Sequence, residues 1–271
     1  IRQRAVMRLA LSAVPILFFA AVASAQAFEE GPALPDRVAA VSAKVRQRAL
    51  PEDFSAVSKA AWEDSRPVVA QSTRDLLAAV KAGQFDIVKT LLNEGALANA
   101  ANELGERPLL AAVAGEHAEI ARLLIQRGAS PNVKGPEGRL PLAMASAAGN
   151  PGLVRILLQA EADVDARSDN RSTALHEAVR FDHPEVVRLL LTAGPDLESY
   201  DRDGLHPLAL AAALGRLNCL VAVLDSQVTP DQPDRKGLTA LYWARRYDRA
   251  LAESLLVERG ASREAWPIDL D

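Results

Sequence analysis

Apolar residues along most of the chain fall in pairs four residues apart, the spacing of an inward stripe on an α-helix. Five copies carry it: Ile87-Val88 with Leu91-Leu92, Ile120-Ala121 with Leu124-Ile125, Leu153-Val154 with Leu157-Leu158, Val186-Val187 with Leu190-Leu191, and Cys219-Leu220 with Val223-Leu224. A short block precedes each stripe: Arg74-Asp75-Leu76, Arg107-Pro108-Leu109, Leu140-Pro141-Leu142, Thr173-Ala174-Leu175 and His206-Pro207-Leu208, with Thr239-Ala240-Leu241 opening a last copy. Successive blocks start 33 residues apart without drift. Three residues after the Pro or Ala of each block stand Ala111, Met144, Glu177, Leu210 and Trp243, and each is followed by alanine: Ala112, Ala145, Ala178, Ala211 and Ala244, with Ala79 in the first copy. A side chain that small lets two helices approach closely. Each period therefore predicts a first helix opened by the block and a second helix carrying the paired stripe. Gly95, Gly128, Gly194 and Gly260 close the second helix as the residue of positive φ that a helix end favours. Glu161 and Gln227 stand where two further glycines belong, so those turns are expected to be reshaped or locally weaker. Gly105, Gly138, Gly204 and Gly237 fall in a turn two residues before each new block.

These residues resemble the ankyrin repeat, whose pattern is T-P-L-H-x-A followed by G-H-x-x-I-V-x-x-L-L-x-x-G-A-D-x-N. The clearest copies are TALHEAVRFDHPEVVRLLLTAGPD at 173–196 and RPLLAAVAGEHAEIARLLIQRGASPN at 107–132. The resemblance spans about residues 74–262 and implies an all-α solenoid of about six helix-turn-helix repeats joined by short hairpin loops. A single helix pair cannot bury its stripe alone, so neighbouring pairs stack and share one core. Glu253 occupies the slot held by Val88, Ala121, Val154, Val187 and Leu220, which predicts that no seventh repeat covers that face. The repeat domain is accordingly assigned to 71–262, with 263–271 as a tail in which Trp266-Pro267-Ile268 folds back.

The opening of the chain has another character. Arg2, Arg4 and Arg8 precede an apolar run from Leu9 to Ala23 interrupted by Pro15, and Ala23-Ser24-Ala25 follows as the small-x-small pattern of a cleavage site. The run falls short of the roughly 20 residues of a spanning helix. Residues 1–25 are read as the signal peptide of an exported bacterial protein, periplasmic or secreted, with no membrane association after cleavage; translation starts at Ile1 or Met7. Residues 26–70 are expected to form a linker and one or two extra helices. Asp36 is expected to cap a helix through Leu50 with Val38, Val41 and Val45 on one face, and Pro51 to open a second carrying Phe54, Val57 and Trp62.

Over 271 residues the composition is 49% apolar, 24% charged and only 4% aromatic, which excludes a disordered polyelectrolyte and a disulfide-stapled fold. The 31 basic and 35 acidic groups leave a net charge of −4, no footprint for nucleic acid. Cys219 is the lone cysteine, so no internal disulfide forms, and it sits in an inward slot as a small hydrophobe. His176 falls on the histidine of T-P-L-H, whose role in the family is hydrogen bonding between loops. His117 and His183 fall on that of G-H, and His206 replaces the block's threonine. Their spacing matches no metal motif such as H-E-x-x-H, and no G-x-S-x-G, P-loop or G-x-G-x-x-G occurs. Neither a cofactor nor a catalytic residue is expected.

The resemblance implies that a partner protein is held by the hairpin tips and the exposed side of the first helices. The eighth residue after each block's first reads Ala82, Gly115, Ala148, Phe181, Leu214 and Tyr247: small in three copies, large in three. Leu205 and Leu238, directly before two blocks, are expected to flank that stripe, with Arg180, Arg202, Arg235, Lys236 and Arg246 as a basic rim. An apolar centre with a charged rim is the anatomy of a protein-binding patch. The expectation is a non-catalytic, monomeric protein-protein interaction module binding through the concave, hairpin face of repeats 4–6. A secreted effector or adaptor acting on a host protein is the alternative, and an enzyme or metal protein built on the repeats a remoter one. Coverage of the stripe by the 36–65 helices or by the Trp266 tail is the intramolecular rival.

Overall fold

Twelve helices and no strand occur among residues 72–263, the part of the chain that the computed structural model describes. Residues 1–25, read above as a signal peptide, the 26–70 segment and the Trp266 tail lie outside it. The helices are α1 (72–81), α2 (Phe85–Asn93), α3 (Pro108–Ala114), α4 (Ala118–Gln126), α5 (Pro141–Ala147), α6 (Pro151–Gln159), α7 (Ala174–Arg180), α8 (Pro184–Leu191), α9 (Pro207–Leu214), α10 (Leu217–Leu224), α11 (Ala240–Arg246) and α12 (Ala250–Glu258). They form six antiparallel pairs. Each first helix from α3 to α11 packs on the next first helix, each second helix from α2 to α12 on the next second helix, so the pairs stack in two rows.

The sequence builds each pair the same way. Proline opens α3, α5, α6, α8 and α9, where its missing N–H is lost to no helical bond. The block leucines Leu109, Leu142, Leu175, Leu208 and Leu241 and the alanines Ala112, Ala145, Ala178, Ala211 and Ala244 are all buried. Ile120, Leu153, Val186 and Cys219, the leading residues of the stripes, are buried beside them. Ile87 in the equivalent slot is 47% exposed, because no described repeat precedes it. At the other end Glu253 pairs with Arg245 at 2.8 Å, a charge accommodated where each earlier copy buries an apolar side chain.

Three turns per repeat run through the left-handed region. After the second helix Glu161 and Gln227 take φ of 61° and 66°, alongside the glycines at the other copies. The turns are therefore not reshaped, and of the two expected outcomes only local weakness is left. Stacking on both sides dictates the path of the chain, and a non-glycine residue adopts it at a backbone cost of about 1–2 kcal/mol. Arg171 does the same at the hairpin tip with φ 62°, in the position of Gly105, Gly138, Gly204 and Gly237.

Polar bonds register one repeat on the next. The side chains of Asn99, Asn132, Asp165 and Asp231 accept from the backbone N–H groups of Ser130, Asp163, Asp196 and Ser262, each 31 residues on. Glu198 holds the equivalent place before Thr229. At the start of the second helices, His183 Nε2 donates to the Ala147 carbonyl at 3.0 Å, Arg249 Nε to that of Ala213 at 3.3 Å, and Arg216 to that of Arg180 at 3.5 Å. Each latch ties the start of a second helix to the end of the first helix of the repeat before it.

Candidate functional site

Three of the hairpin loops that lead into the first helices, those of the second, fifth and sixth repeats, are each built on one side-chain acceptor. In the fifth repeat's loop Asp201 Oδ1 accepts from the N–H groups of Asp203 and Leu205 at 2.9 and 3.1 Å, and Asp234 Oδ1 does the same for Lys236 and Leu238 at 2.8 and 2.9 Å. Asn102 serves Leu104 and Glu106 likewise. The second carboxylate oxygens face the first helices. Arg180 donates to Asp201 at 3.0 Å, and the Trp243 indole N–H to Asp234 at 2.8 Å. Both aspartates are buried and bonded through both oxygens, so the Asp201 loop is clamped to α7 of the preceding repeat and the Asp234 loop to α11, the helix it leads into.

Two buried histidines complete the clamps. His176 Nδ1 accepts from the Thr173 hydroxyl at 2.9 Å, and its Nε2 donates to the Leu205 carbonyl at 3.1 Å. His206 caps α9 by accepting from the Ala209 N–H at 3.3 Å and donates to the Gln232 carbonyl at 3.1 Å. His206 thus performs both the threonine's cap and the histidine's loop bond. Burial pushes His176 down to about 4, against the opposing pull of Asp201, and lowers His206 as well. Both are neutral structural groups at pH 7. Burial, with the Asp182 carboxylate beside it, pushes the Cys219 thiol up to about 12, which removes it as a nucleophile. Among the described residues no three of His, Cys, Asp and Glu converge as a metal site would require.

The row facing solvent divides in two. Phe181 and Tyr247 are 53% and 51% exposed at equivalent positions, with Leu214 between them half-buried. Tyr247 stacks on Trp243 at 5.8 Å between centroids, Tyr242 meets Trp243 edge-on, and the Lys236 ammonium lies 5.7 Å from the Trp243 ring centre. Arg202, Arg235, Lys236 and Arg246 are exposed nearby, whereas Arg180 is drawn inward by Asp201. Leu205 and Leu238 do not flank this row. Both are buried, at 8% and 3%, because their amides bond to Asp201 and Asp234 and the hairpin closes with their side chains turned into the stack. The register marked the position but not the direction of the side chain.

Over the second to fourth repeats, sequence reasoning missed two clefts. The first, about 430 Å³, lies over α3 with Ala111, Ala114 and Met144 on its apolar side and Lys81, Arg107 and Arg139 at its edge. The second, about 570 Å³, lies over α5 between Met144, Ala147 and Phe181. Arg139 and Met144 line both. The run of small residues at 111, 114, 147 and 148 is the signal that marks them, since a cleft opens where side chains stop short. The sequence also gave no sign that Leu104, at a hairpin tip, is 75% exposed.

A family model described as "Ankyrin repeats (3 copies)" matches the chain three times, over residues 74–135, 128–201 and 175–264. The ankyrin repeat domain of Bcl-3, described as a unique member of the IkappaB protein family, superposes with a TM-score of 0.66 at 29% identity, over 69% of this chain and 86% of that one. An ankyrin repeat domain from Acinetobacter baumannii superposes with a TM-score of 0.65 at 28% identity, over 69% of this chain and 98% of its own. Among curated proteins there is no significant match.

Proposed function

The chain belongs to the ankyrin-repeat family, and on that premise we propose that it is a non-catalytic docking module that holds a partner protein against its concave, hairpin-bearing face. Ankyrin repeats are generally protein-protein interaction modules, and the scaffold is typically not catalytic. The observation that carries the reading is the pair of half-exposed aromatic rings Phe181 and Tyr247, two repeats apart on the same row. Burying a side chain of that size returns roughly 1.5–3 kcal/mol, and two rings with Leu214 between them form a surface that a partner's apolar side chains would cover. Tyr247 is braced by Trp243, so little side-chain freedom is lost on docking. Exposed Arg235, Lys236 and Arg246 supply a charged rim.

The apolar run and the small-x-small pattern of residues 1–25 support work outside the cytoplasm, in the periplasm or beyond it. Cell fractionation separates the two: osmotic shock releases a periplasmic protein, whereas an effector reaches the medium. The docking reading is tested by crosslinking in the intact cell envelope, purification of the full chain, and mass spectrometry of what it captures. A specific partner lost on Phe181→Ser and Tyr247→Ser, with thermal unfolding unchanged, is the expected result. Capture indifferent to both substitutions refutes the role of this row.

A further inference from the structure

We propose that the outer surface of the second helices is an interface between two copies of this chain, paired side by side and parallel, in place of the monomer expected from the sequence. The proposal is independent of the docking row, which lies on the first helices. Opposite their buried stripes, α2, α4, α6 and α8 carry two rows of charge that follow the 33-residue period. Asp86, Glu119 and Glu185 form an acidic row, and Lys89, Arg122, Arg155 and Arg188 a basic row one helical turn further on; all seven are exposed. Gly152 stands in the acidic row beside Arg155. Acid and base on one helix are three residues apart, close enough to pair. Even so, none of the four basic side chains makes a hydrogen bond or an ion pair among the described residues. In the last two repeats the same surface is uncharged, with Asn218 and Val221 on α10 and Leu251 and Ser254 on α12, and Leu251 is 69% exposed.

Charge complementarity selects a second copy as the occupant. Two parallel rows of opposite sign fit their own image under one kind of two-fold axis in the plane of contact. An axis that runs along the rows, between them, lays the basic row of one copy on the acidic row of the other, repeat against repeat. Lys89 then meets Asp86 of the second copy, Arg122 meets Glu119 and Arg188 meets Glu185. Equivalent positions on neighbouring repeats are one helix-packing distance apart, about 8–10 Å, so Arg155 lies over Gly152 with Glu119 and Glu185 on either side. An axis across the rows would set base on base and acid on acid, which repels. The lengthwise axis also brings the uncharged ends together, so Leu251 of one copy meets Ser254 of the other and lies one repeat from its Val221. Exposed ion pairs each contribute little, so the dimer is weak and sensitive to salt. The first-helix row of both copies stays open.

Sedimentation velocity of the full chain over a concentration series tests this. The expected result is a dimer whose dissociation constant rises about tenfold or more between about 0.1 M and 1 M salt, as the screening length falls from about 10 Å to 3 Å. One variant combines Arg122→Glu, Arg155→Glu and Arg188→Glu, and another combines Asp86→Lys, Glu119→Lys and Glu185→Lys. Each alone is expected to dimerise at least about tenfold more weakly with thermal unfolding unchanged, and an equimolar mixture of the two to recover a dimer containing one of each. Orientation is read by oxidative crosslinking. Leu251→Cys mixed with Ser254→Cys should give a covalent heterodimer, whereas Leu251→Cys mixed with Asp86→Cys should not. Phe181→Ser and Tyr247→Ser should leave the association unchanged. A monomer at every concentration, association indifferent to both charge variants, or a mixture of them that stays monomeric overturns the proposal. So does crosslinking of position 251 to position 86 in preference to 254, or loss of the dimer on Phe181→Ser and Tyr247→Ser. Capture of a partner through the first-helix row is measured separately, so failure here leaves the docking reading standing.

Discussion

Acid should loosen the array at a defined place. His176 is fully buried, accepts from the Thr173 hydroxyl through Nδ1 and donates through Nε2 to Leu205 in the next repeat. Protonation would place a second donor against that hydroxyl in a site without water, which is why burial pushes the group down from 6.5 to about 4. The unfolded chain binds the proton first, so the stabilisation is complete above about pH 6.5, falls as the pH drops through the window between 6.5 and 4, and is gone below it. A shift of this size corresponds to about 3 kcal/mol across the window, and about 2 kcal/mol of it is lost between pH 7 and pH 5, where carboxylates remain largely ionised. Urea unfolding of the full chain and of His176→Gln at several pH values between 7 and 5 measures it. The native protein should lose about 2 kcal/mol, and His176→Gln should be less stable at pH 7 yet show a shallower slope. His206, also lowered by burial, accounts for the slope that remains. Because stability in a stacked array is a sum of repeat and interface contributions, hydrogen exchange should report the loss first at the junction of the fourth and fifth repeats. A native protein whose stability is flat from pH 7 to 5, or a His176→Gln variant with an unchanged slope, refutes the reasoning.

Three further outcomes can be checked with the same unfolding measurements. Ser146 is buried with its hydroxyl unbonded, so Ser146→Ala should raise stability by about 1 kcal/mol, read as a higher urea midpoint with an unchanged slope. Gln227→Gly relieves a side chain held at φ 66° and should stabilise by about 0.5–1 kcal/mol after the entropy of glycine is subtracted. Gly149→Ala should destabilise by about 2 kcal/mol, because φ is 69° and the new methyl would lie 2.4 Å from the ring of His183; loss of exchange protection at α8 would show that the latch to Ala147 has opened.

The fold was legible because the same burial problem is solved at every period. Each stripe is amphipathic over one helix, the alanine at the close approach recurs, and the register never slips, so a periodic reading of the sequence finds the helices directly. Where structure and expectation part, the position lies in an irregular turn. Leu205 and Leu238 were correctly placed before their blocks, yet apolar-polar alternation says nothing about which way a clamped hairpin residue points. Only the bonds from Asp201 and Asp234 decide it. Glu161 and Gln227 misled for the opposite reason. Local preference argued for a different turn, and packing on both sides imposed the usual one. The clefts beside Met144 left only a faint trace because they are made by what Ala111, Ala114 and Ala147 lack.

The solvent-facing row of the first helices carries the variation that the stacked interior cannot accept. Inside, the block leucines, the close-approach alanines and the leading residues of the middle stripes must match a neighbour above and below, which holds them to alanine, leucine, isoleucine, valine or, once, Cys219. On the row the stack constrains positions 82, 115, 148, 181, 214 and 247 less tightly, and they run from alanine and glycine to phenylalanine, leucine and tyrosine. That gradient gives the surface a direction. The early half is recessed, with clefts of about 430 and 570 Å³, and the late half protrudes through Phe181 and Tyr247. A partner matched to it presents projecting side chains toward the early repeats and a hollow toward the late ones. Docked in reverse, its projections would meet the aromatic rings while its hollow faced the empty clefts, so both halves would lose contact at once. On the docking reading proposed above, the shape of the row alone would set the orientation of a partner, since both halves lose contact when the direction is inverted.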